Sequence, residues 1–580
     1  MFDVLWRKGR NLDEGGYPGF RPGDSVEDGV RIERDVMVPM RDGVKISADI
    51  FRPAQAGAAA PAIIAWSPYG KHQTGPGGFD RFSNRTCVPE GVPGKWTKFE
   101  APDPQYWCRH GYAVVNPDAR GSWMSEGDLL TIGGCNAGSC NAGSSNAGGS
   151  NADSGDAGGG EAADMHDLIE WIAAQPWCNG KVALSGNSWL AQCQWYAAAT
   201  RPPHLAAIAP WEGWSDLYRE NVALGGITTA PGNWIDFVWD GLHSRTRVED
   251  CPGMAAKYPT WNDYWEGKRA KHELTQCPAY VVASWNSRLH SRGSFEGFKQ
   301  LGSADKWLRI HDGWEWPDYY DPANVEDLRR FFDHFLKDID NGWEQTPRVR
   351  IAIMDRAIDK PTNAYRAENE WPLARTRHRP LFLDAASGKM SRTRVAGEAS
   401  LAYSATQGQA AFDYRFEADA ELTGHMSLRL WVEARGNDDM DLFVVAQKLD
   451  AAGRRVPYTV YGVNWVAEPA RGFLRASHRE LDPVRSTPGQ PWHTHRSEQL
   501  LRPGERVPVD IEFWPMGCLW HAGETLRILI AGHPILHVGN PVTGESLVSA
   551  RNKGEHVLWS GGQYDAQLLI PDTPPRHLSE

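Results

Sequence analysis

The chain has 580 residues, of which 41% are hydrophobic and 23% charged, and a formal net charge of −12. This composition is typical of a globular protein in water, and at about 150 residues per domain the length predicts two to four domains. The acidic balance argues against nucleic acid or an anionic membrane as a partner.

Two features of the sequence bear on cellular location. The N-terminus lacks the apolar run of a signal peptide, and no stretch approaches the roughly 18 uninterrupted apolar residues of a membrane span. Nine cysteines without a regular framework are typical of free thiols in a reducing compartment. We therefore expect a cytoplasmic protein with no membrane partner.

The first 205 residues alternate between predicted strands and helices. Two alternating runs flank Arg41-Asp42-Gly43, which is a strong hairpin signal. Apolar runs at 62–66 and 112–115 predict buried strands, and residues 164–174 have helical spacing. This alternation predicts a parallel sheet covered on both faces. A five-residue repeat of small polar residues at 133–160 predicts a flexible surface loop.

A serine lies at a sharp predicted turn between a strand and a helix. The apolar run 182–184 is followed by Gly186-Asn187-Ser188 and then by a predicted helix at 191–199. This is the context of a nucleophile elbow, in which the next backbone N–H, that of Trp189, helps to stabilise an oxyanion. The pattern G-x-S-x-G is incomplete, because Leu190 occupies the second glycine position. The alternative is a small serine that packs a tight turn.

Three further segments follow the elbow helix. Residues 204–216 predict a strand followed by a Trp-rich loop, and residues from about 217 to 275, rich in Trp, Asn and Gly, predict an inserted helical cap. The cap segment is taken as 206–275. Strand patterns return within residues 276–345, which complete the sheet domain and end with an amphipathic helix at 325–337. From 346 to 580, short alternating strands separated by turn residues predict a β-sandwich of the jelly-roll type.

Several motifs in a fixed order point to a family. They are the Met40-Arg-Asp-Gly43 turn, Ser67-Pro-Tyr-Gly-Lys71 after an early strand, Asp118-Ala-Arg-Gly-Ser-Trp-Met-Ser-Glu-Gly127, and Gly186-Asn-Ser-Trp-Leu190. Over nearly its whole length the chain resembles the cocaine esterase / X-prolyl dipeptidyl peptidase-like serine hydrolases, the CocE/NonD group. The resemblance implies the α/β class: an α/β-hydrolase domain with an inserted helical cap and a C-terminal jelly roll.

The resemblance also implies an activity and site residues. It implies cleavage of an ester or amide of a small apolar or aromatic acyl group, through an acyl-enzyme at Ser188 and without a cofactor. The oxyanion-hole tyrosine of the family corresponds to Tyr69, and the second donor to the N–H of Trp189. A phenol suits this role because its neutral O–H stabilises an oxyanion without adding a buried charge.

The rest of the triad departs from the family pattern. The family places its acid after the next strand, where this chain has Ser284-Trp-Asn-Ser287 and no carboxylate. The family's histidine follows the last strand, where His311 comes somewhat early and Glu315 lies nearer the expected place. An α/β-hydrolase usually has the chain order serine, acid, histidine.

Three hypotheses stay open. In the first, His311 is the base, oriented by Asp312, Asp318 or another acid. In the second, Glu315 is an unusual base whose pKa is raised among tryptophans. In the third, hydrolysis is lost and the pocket serves cyclisation, lyase or acyl-transfer chemistry. His290 is a spare candidate, although such a histidine more often packs a helix start.

The family's cap-covered site implies a largely apolar or aromatic acyl pocket. Its candidate residues here are Trp211, Trp214, Trp285, Asn286, Trp314 and Glu315. We expect no metal, and we expect His493 and His495, which alternate along the chain, to be a surface pair. The expected partner is a small-molecule substrate, and homo-oligomerisation is left open.

Overall fold

The computed structural model describes residues 2–55, 59–72, 78–80, 82–131, 160–228, 238–287, 289–356, 365–462, 465–535 and 551–575. The repeat at 133–160 therefore lies outside the described residues except for Gly160. No described helix is long and apolar enough to cross a membrane.

The strands are numbered in chain order. They are β1 (Trp6–Lys8), β2 (Gly23–Glu27), β3 (Val30–Pro39), β4 (Lys45–Pro53), β5 (Ala60–Ile64), β6 (Ala113–Pro117), β7 (Cys178–Asn187), β8 (Leu205–Trp211), β9 (Ala223–Leu224), β10 (Ile227–Thr228), β11 (Arg247–Glu249), β12 (Ala279–Ser284), β13 (Lys306–His311), β14 (Val349–Ile351), β15 (Arg366–Glu368), β16 (Arg377–Asp384), β17 (Lys389–Ser391), β18 (Ala399–Ser404), β19 (Gln409–Arg415), β20 (Ala420–Arg435), β21 (Asp441–Leu449), β22 (Tyr458–Val460), β23 (Trp465–Ala467), β24 (Ala470–Arg475), β25 (Val507–Trp520), β26 (Thr525–Ala531), β27 (Glu555–Ser560) and β28 (Gln567–Asp572).

The helices are identified by their residues. The α-helices are Pro104–Arg109, Glu161–Ala173, Trp189–Ala199, Cys251–Lys257, Asp263–Gly267, Ser291–Gln300, Glu315–Tyr319 and Pro322–Lys337. Short 3₁₀ helices are Leu12–Gly15, Ser83–Cys87, His272–Leu274, Trp343–Gln345 and Ala476–His478, and Tyr218–Val222 is a π-helical turn.

The N-terminal domain is built on one sheet in the order β15-β14-β13-β12-β8-β7-β5-β6-β4-β3-β2. Its central strands, from β14 to β6, pair in parallel, and antiparallel strands flank them. The predicted hairpin around residues 41–43 is confirmed as the antiparallel pair β3–β4. Buried Val, Ile and Ala side chains on the central strands form a core against the helices, so the strands hold their carboxyl ends at one fixed edge.

The strand predicted after His204 is β8, which runs from Leu205 to Trp211. Beyond it, the described residues up to 275 form short helices and the short strands β9, β10 and β11. The assignment of residues 206–275 to a cap stays a prediction.

The C-terminal domain is a second sheet of eleven strands, in the order β18-β27-β20-β25-β24-β21-β26-β19-β17-β16-β28. A further pairing of β20 with β28 joins the two sides of this sheet. Its strands alternate buried and half-buried residues, as in β25 from Val507 to Phe513. The predicted sandwich-like, jelly-roll domain is confirmed.

Lys98 donates hydrogen bonds to backbone carbonyls at the ends of two strands, at the sheet edge that carries the candidate site. Its side chain is fully buried, and Nζ donates to the carbonyls of Pro117 at 2.6 Å, Ser67 at 3.0 Å and Ala65 at 3.3 Å. These carbonyls follow β5 and end β6. One ammonium group therefore satisfies three buried acceptors.

We expect Lys98→Met to lower the free energy of unfolding by about 2–4 kcal/mol, since three buried carbonyls would lose their donor. Urea denaturation followed by fluorescence measures this change. The control is Lys95→Met, whose side chain is 49% exposed in surface ion pairs and should cost less than about 1 kcal/mol. Equal effects of the two substitutions would contradict the account.

Candidate active site

The backbone around Ser188 has the geometry of a sharp strand-to-helix turn. Ser188 has φ 53° and ψ −116° and lies between β7 and the helix Trp189–Ala199. Its N–H donates to the carbonyl of Glu212 at 3.0 Å, and the N–H of Asn187 donates to that of Glu100 at 3.1 Å. A positive φ is strained for a serine, and these two hydrogen bonds hold the residue in it.

Packing explains why Leu190 occupies the position of the second glycine in the G-x-S-x-G pattern. Leu190 packs in a small cluster with Ala65, Ala101 and Tyr69. A Cβ on Gly186, where φ is +137°, would lie 2.5 Å from the Leu190 Cβ and 2.9 Å from the Glu100 carbonyl oxygen. The leucine thus fills space beside the one glycine that this turn requires.

The Ser188 hydroxyl meets a histidine and a carboxyl group in sequence. Ser188 Oγ lies 3.3 Å from Nε2 of His290. On the other side of the ring, Nδ1 lies 2.8 Å from Oε2 of Glu315. All three side chains are at least 94% buried. A hydroxyl, an imidazole and a carboxyl group at these distances can pass a proton from oxygen to nitrogen and stabilise the imidazolium that forms.

Two neighbouring strands supply the histidine and the carboxyl group. His290 follows β12 and precedes the helix Ser291–Gln300, whereas Glu315 follows β13. Because β12 and β13 pair in parallel, with Ser284 opposite His311, the loops after them meet at one edge of the sheet. Exchanging base and acid between the two loops therefore keeps the Ser–His–carboxyl contact and changes only the order along the chain.

Tyr69 follows β5 and Trp189 follows β7, at the same carboxyl edge of the parallel sheet as these two loops. The Tyr69 side chain lies next to Ser188, and burial together with the Glu100 carboxyl raises the pKa of the Tyr69 hydroxyl well above the ordinary value. Its ring packs edge-on against Phe99 and Trp189. Trp189 is the first residue of its helix, so the helix leaves its N–H without an internal acceptor. Both predicted oxyanion donors are thus beside Ser188.

Further buried carboxyl groups surround the site. Glu100 accepts a hydrogen bond from Trp316 Nε1 at 2.7 Å, and burial and Glu315 raise its pKa well above the ordinary value. Burial raises the pKa of Glu315 as well, and that of Glu212 to about 7. Burial also lowers the pKa of His290 to about 3. At neutral pH the imidazole is therefore in the neutral form that can accept a proton.

His311 does not take the place predicted for it. Its Nε2 lies 2.7 Å from Oε1 of Glu212, and its Nδ1 accepts the N–H of Gly313 at 3.3 Å. Both ring nitrogens are thus engaged away from Ser188, because residue 311 is still the last residue of β13 rather than part of the following loop. The structure corrects the prediction of His311 as base: His290 is the histidine at Ser188.

The six predicted pocket residues separate into two groups. Trp214 lies with its ring 5.9 Å from that of His290, and Glu315 contacts His290 directly instead of acting as the base.

The remaining residues of that set are occupied by internal packing. Trp211 Nε1 donates to Asp318, Trp285 Nε1 to the Ala352 carbonyl, and Asn286 Nδ2 to the Asp312 carbonyl. Trp314 packs edge-on against Trp316. These side chains are at least 93% buried and make internal contacts, and their assignment to the acyl pocket stays a prediction.

The expectation of an exposed His493–His495 pair is wrong. The two side chains are 5% and 4% exposed, and Nδ1 of His495 lies 3.1 Å from Nδ1 of His478. They lie at the junction of the cap and the C-terminal domain, where Arg219 of the cap donates to the His493 carbonyl. Alternation along the chain does not reveal this burial, because both faces are covered.

One group of described residues has the composition of a metal site. Ligand atoms of Glu212, His290 and Glu315 lie within 4.8 Å of one another. Tetrahedral zinc would hold its nitrogen and oxygen ligands about 3.3 Å apart, whereas Nδ1 of His290 and Oε2 of Glu315 are separated by 2.8 Å. That separation is too short for two ligands of one zinc ion, so the group fits a proton relay formed by Ser188, His290 and Glu315 better than a metal site.

Comparison with known proteins places the chain in a family. The family model for X-Pro dipeptidyl-peptidase (S15 family) matches residues 42–314, and that for the X-Pro dipeptidyl-peptidase C-terminal non-catalytic domain matches residues 341–569. A solved structure of a CocE/NonD family hydrolase from Staphylococcus aureus is 34% identical, with a TM-score of 0.84 over 94% of each chain. The chain belongs to the CocE/NonD family of hydrolases.

Other relatives of this CocE/NonD protein agree with that placement. Cocaine esterase from Rhodococcus sp. (strain MB1 Bresler) is 26% identical over 452 residues, which are 67% of this chain and 68% of that protein. The solved α-amino acid ester hydrolase is 15% identical, with a TM-score of 0.70, and shows the shared fold. The resemblance and the fold predicted from the sequence are confirmed, and the CocE/NonD protein is a serine hydrolase.

Proposed function

We propose that this protein cleaves an ester of a small apolar or aromatic acid through an acyl-enzyme at Ser188. The observation that carries the proposal is the continuous contact from Ser188 Oγ through His290 to Glu315. His290 takes the hydroxyl proton on Nε2 as Ser188 attacks the acyl carbon, and Glu315 stabilises the imidazolium through Nδ1. The proton then passes to the leaving alcohol.

Tyr69 and Trp189 stabilise the oxyanion in this mechanism. Because its pKa is raised, the Tyr69 phenol keeps its proton and donates it to the oxyanion as a hydrogen bond. The Trp189 N–H at the helix start is the second donor. Water activated by His290 then releases the acid and restores Ser188.

The surroundings of the triad favour uncharged acyl groups. Trp214, Phe99 and the ring of Tyr69 lie around the site, and the residues of the triad are themselves buried. Burying an acyl carboxylate in such a site without a positive partner has a high desolvation cost. Ester specificity is therefore set here by apolar contact and by the cost of desolvating a charged acyl group.

Rapid mixing with p-nitrophenyl esters tests the proposal. We expect a burst of one p-nitrophenolate per protein and an acyl mass on the peptide that contains Ser188. p-Nitrophenyl acetate and benzoate should be cleaved, and the succinate monoester should be cleaved at least about tenfold more slowly. A folded protein that hydrolyses none of these esters and does not react with a fluorophosphonate would overturn the proposal.

Non-hydrolytic chemistry is not proposed. It depended on a missing acid and a displaced histidine, and both groups now have candidates in Glu315 and His290. The curated relatives are named as esterases and X-Pro dipeptidyl-peptidases, which gives a cyclase, lyase or acyl-transfer reaction no support.

Tyr69→Phe tests the proposed oxyanion hole. Loss of one donor should lower kcat for p-nitrophenyl acetate by about 10²-fold with little change in KM, because the hydroxyl acts mainly on the developing oxyanion. Steady-state kinetics measure the effect. The control is Tyr403→Phe, a buried tyrosine of the C-terminal domain, which should leave kcat unchanged; an unchanged kcat in Tyr69→Phe would contradict the role.

A further inference from the structure

A second carboxyl group, that of Glu212, lies beside the relay of Ser188, His290 and Glu315 and takes no part in the proposed acyl chemistry. Its side chain is completely buried. One of its oxygens lies within 4.8 Å of a ring nitrogen of His290 and of a carboxylate oxygen of Glu315. The main-chain carbonyl of Glu212 accepts the Ser188 N–H, and its side chain has a separate position.

The Glu212 carboxyl group is held in place from behind. Nδ1 of His311 accepts the Gly313 N–H at 3.3 Å, and Nε2 on the other side of the ring lies 2.7 Å from Glu212 Oε1. His311 Nε2 also lies 3.6 Å from Oδ2 of Asp318, and Asp318 is paired with the buried Arg309 at 2.5 Å. The arrangement fixes a carboxylate near His290 at no cost in side-chain freedom during the reaction.

Proton transfer to His290 needs a fixed negative charge near the imidazole ring. When His290 accepts the serine proton, a positive imidazolium forms at a position that is 1% exposed. Water does not stabilise it there, and burial also favours the protonated, uncharged form of its partner Glu315. A second fixed carboxylate within about 5 Å stabilises the imidazolium through space.

We propose that Glu212, held by His311, is a positioning residue that supplies the second negative charge of the relay and acts through His290. This inference rests on the proposed acyl chemistry at Ser188. No bond is made or broken at Glu212: the proton of Ser188 moves to Nε2 of His290, the Nδ1 proton stays between His290 and Glu315, and above about pH 7 Glu212 is a carboxylate throughout.

Glu212→Gln tests the inference on the full chain with p-nitrophenyl acetate as substrate. The glutamine has the same size, and the main-chain carbonyl that binds Ser188 is untouched. We expect kcat to fall by about tenfold to a hundredfold, which is no more than for loss of a direct oxyanion donor, and KM to stay within about twofold. The matched control is Glu468→Gln, a buried glutamate of the C-terminal domain whose pKa is also raised to about 7 by burial.

The pH profile separates this role from a structural one. The titratable groups that face Glu212 are His290, His311, Glu315 and Asp318, and burial raises the pKa of Glu212 to about 7. Below that pH wild-type Glu212 takes up a proton and resembles glutamine. The ratio of wild-type to Glu212→Gln activity should therefore be largest above about pH 8 and approach one below about pH 6. A ratio independent of pH would overturn the inference.

Variants of His311 give an independent test. His311→Gln keeps an N–H near the position of Nε2 and should retain activity within about tenfold, whereas His311→Leu should reproduce the kcat and pH profile of Glu212→Gln. Wild-type activity and pH profile in both Glu212→Gln and His311→Leu would overturn the inference and leave the Ser188 mechanism standing. A wild-type protein that neither hydrolyses the ester nor reacts with a fluorophosphonate would overturn both.

Discussion

Ser188→Ala is expected to lower kcat for p-nitrophenyl acetate by at least about 10⁴-fold, since no acyl-enzyme can form. The residual rate is that supported by binding and by the oxyanion donors Tyr69 and Trp189. Burst kinetics and steady-state turnover measure the loss. Ser188 is held at positive φ by the carbonyl of Glu212, and alanine accepts the same backbone, so the fold should be retained.

The control for this substitution is Ser185→Ala in the same strand. Ser185 Oγ contacts the Tyr319 hydroxyl at 2.9 Å and faces away from the relay residues. It should keep kcat within about twofold and lose no more than about 1–2 kcal/mol of stability. Equal turnover in wild type and Ser188→Ala would show that the ester is cleaved elsewhere.

The second large effect is expected at His290. His290→Gln removes the base, and kcat should fall by about 10³- to 10⁴-fold because the serine hydroxyl is then a weak nucleophile at neutral pH. Glutamine can still contact Ser188, so a loss of this size reports proton transfer rather than packing. Steady-state hydrolysis at pH 7–9 measures it.

His311→Gln is the matched comparison for the histidine assignment. Both histidines are fully buried and each lies within 3 Å of a glutamate, at 2.8 Å for His290 and 2.7 Å for His311. Only His290 contacts Ser188. We expect His311→Gln to retain activity within about tenfold; a loss there as large as in His290→Gln would contradict the assignment of the base.

The fold was predictable because its signals are local. The hairpin at Arg41-Asp42-Gly43, the apolar strand before Ser188 and the alternating strands after residue 346 each depend on neighbours in sequence. The strand after His204 is predictable in the same way, but its end at Trp211, inside the Trp-rich segment, is not, because it depends on pairing with neighbouring strands of the sheet.

The nucleophile and its oxyanion donors were also predictable, since Ser188, Tyr69 and Trp189 each follow a strand within a motif. The base and acid were not, because each was sought at the position the family usually gives it. His290 lies six residues after β12 and Glu315 four residues after β13, so the histidine and the acid have exchanged positions relative to the family. Both residues can be read from the sequence, but only the parallel pairing of β12 and β13 shows that they lie close together.

The tryptophans show a different limit. Their number suggests an aromatic pocket, yet Trp211 and Trp285 are anchored by hydrogen bonds to Asp318 and Ala352 in the core. Composition gives no sign of which side of the sheet an indole faces. Trp214 lies near His290 because the turn after β8 passes over the site.

The rate of fluorophosphonate labelling at Ser188 tests the central assignment most directly, because it follows the activated hydroxyl without turnover. Peptide mass spectrometry should find the label on Ser188 in wild type and in His311→Gln at rates within about tenfold, and at least about 100-fold more slowly in His290→Gln. The opposite pattern, rapid labelling in His290→Gln and slow labelling in His311→Gln, would contradict His290 as the base.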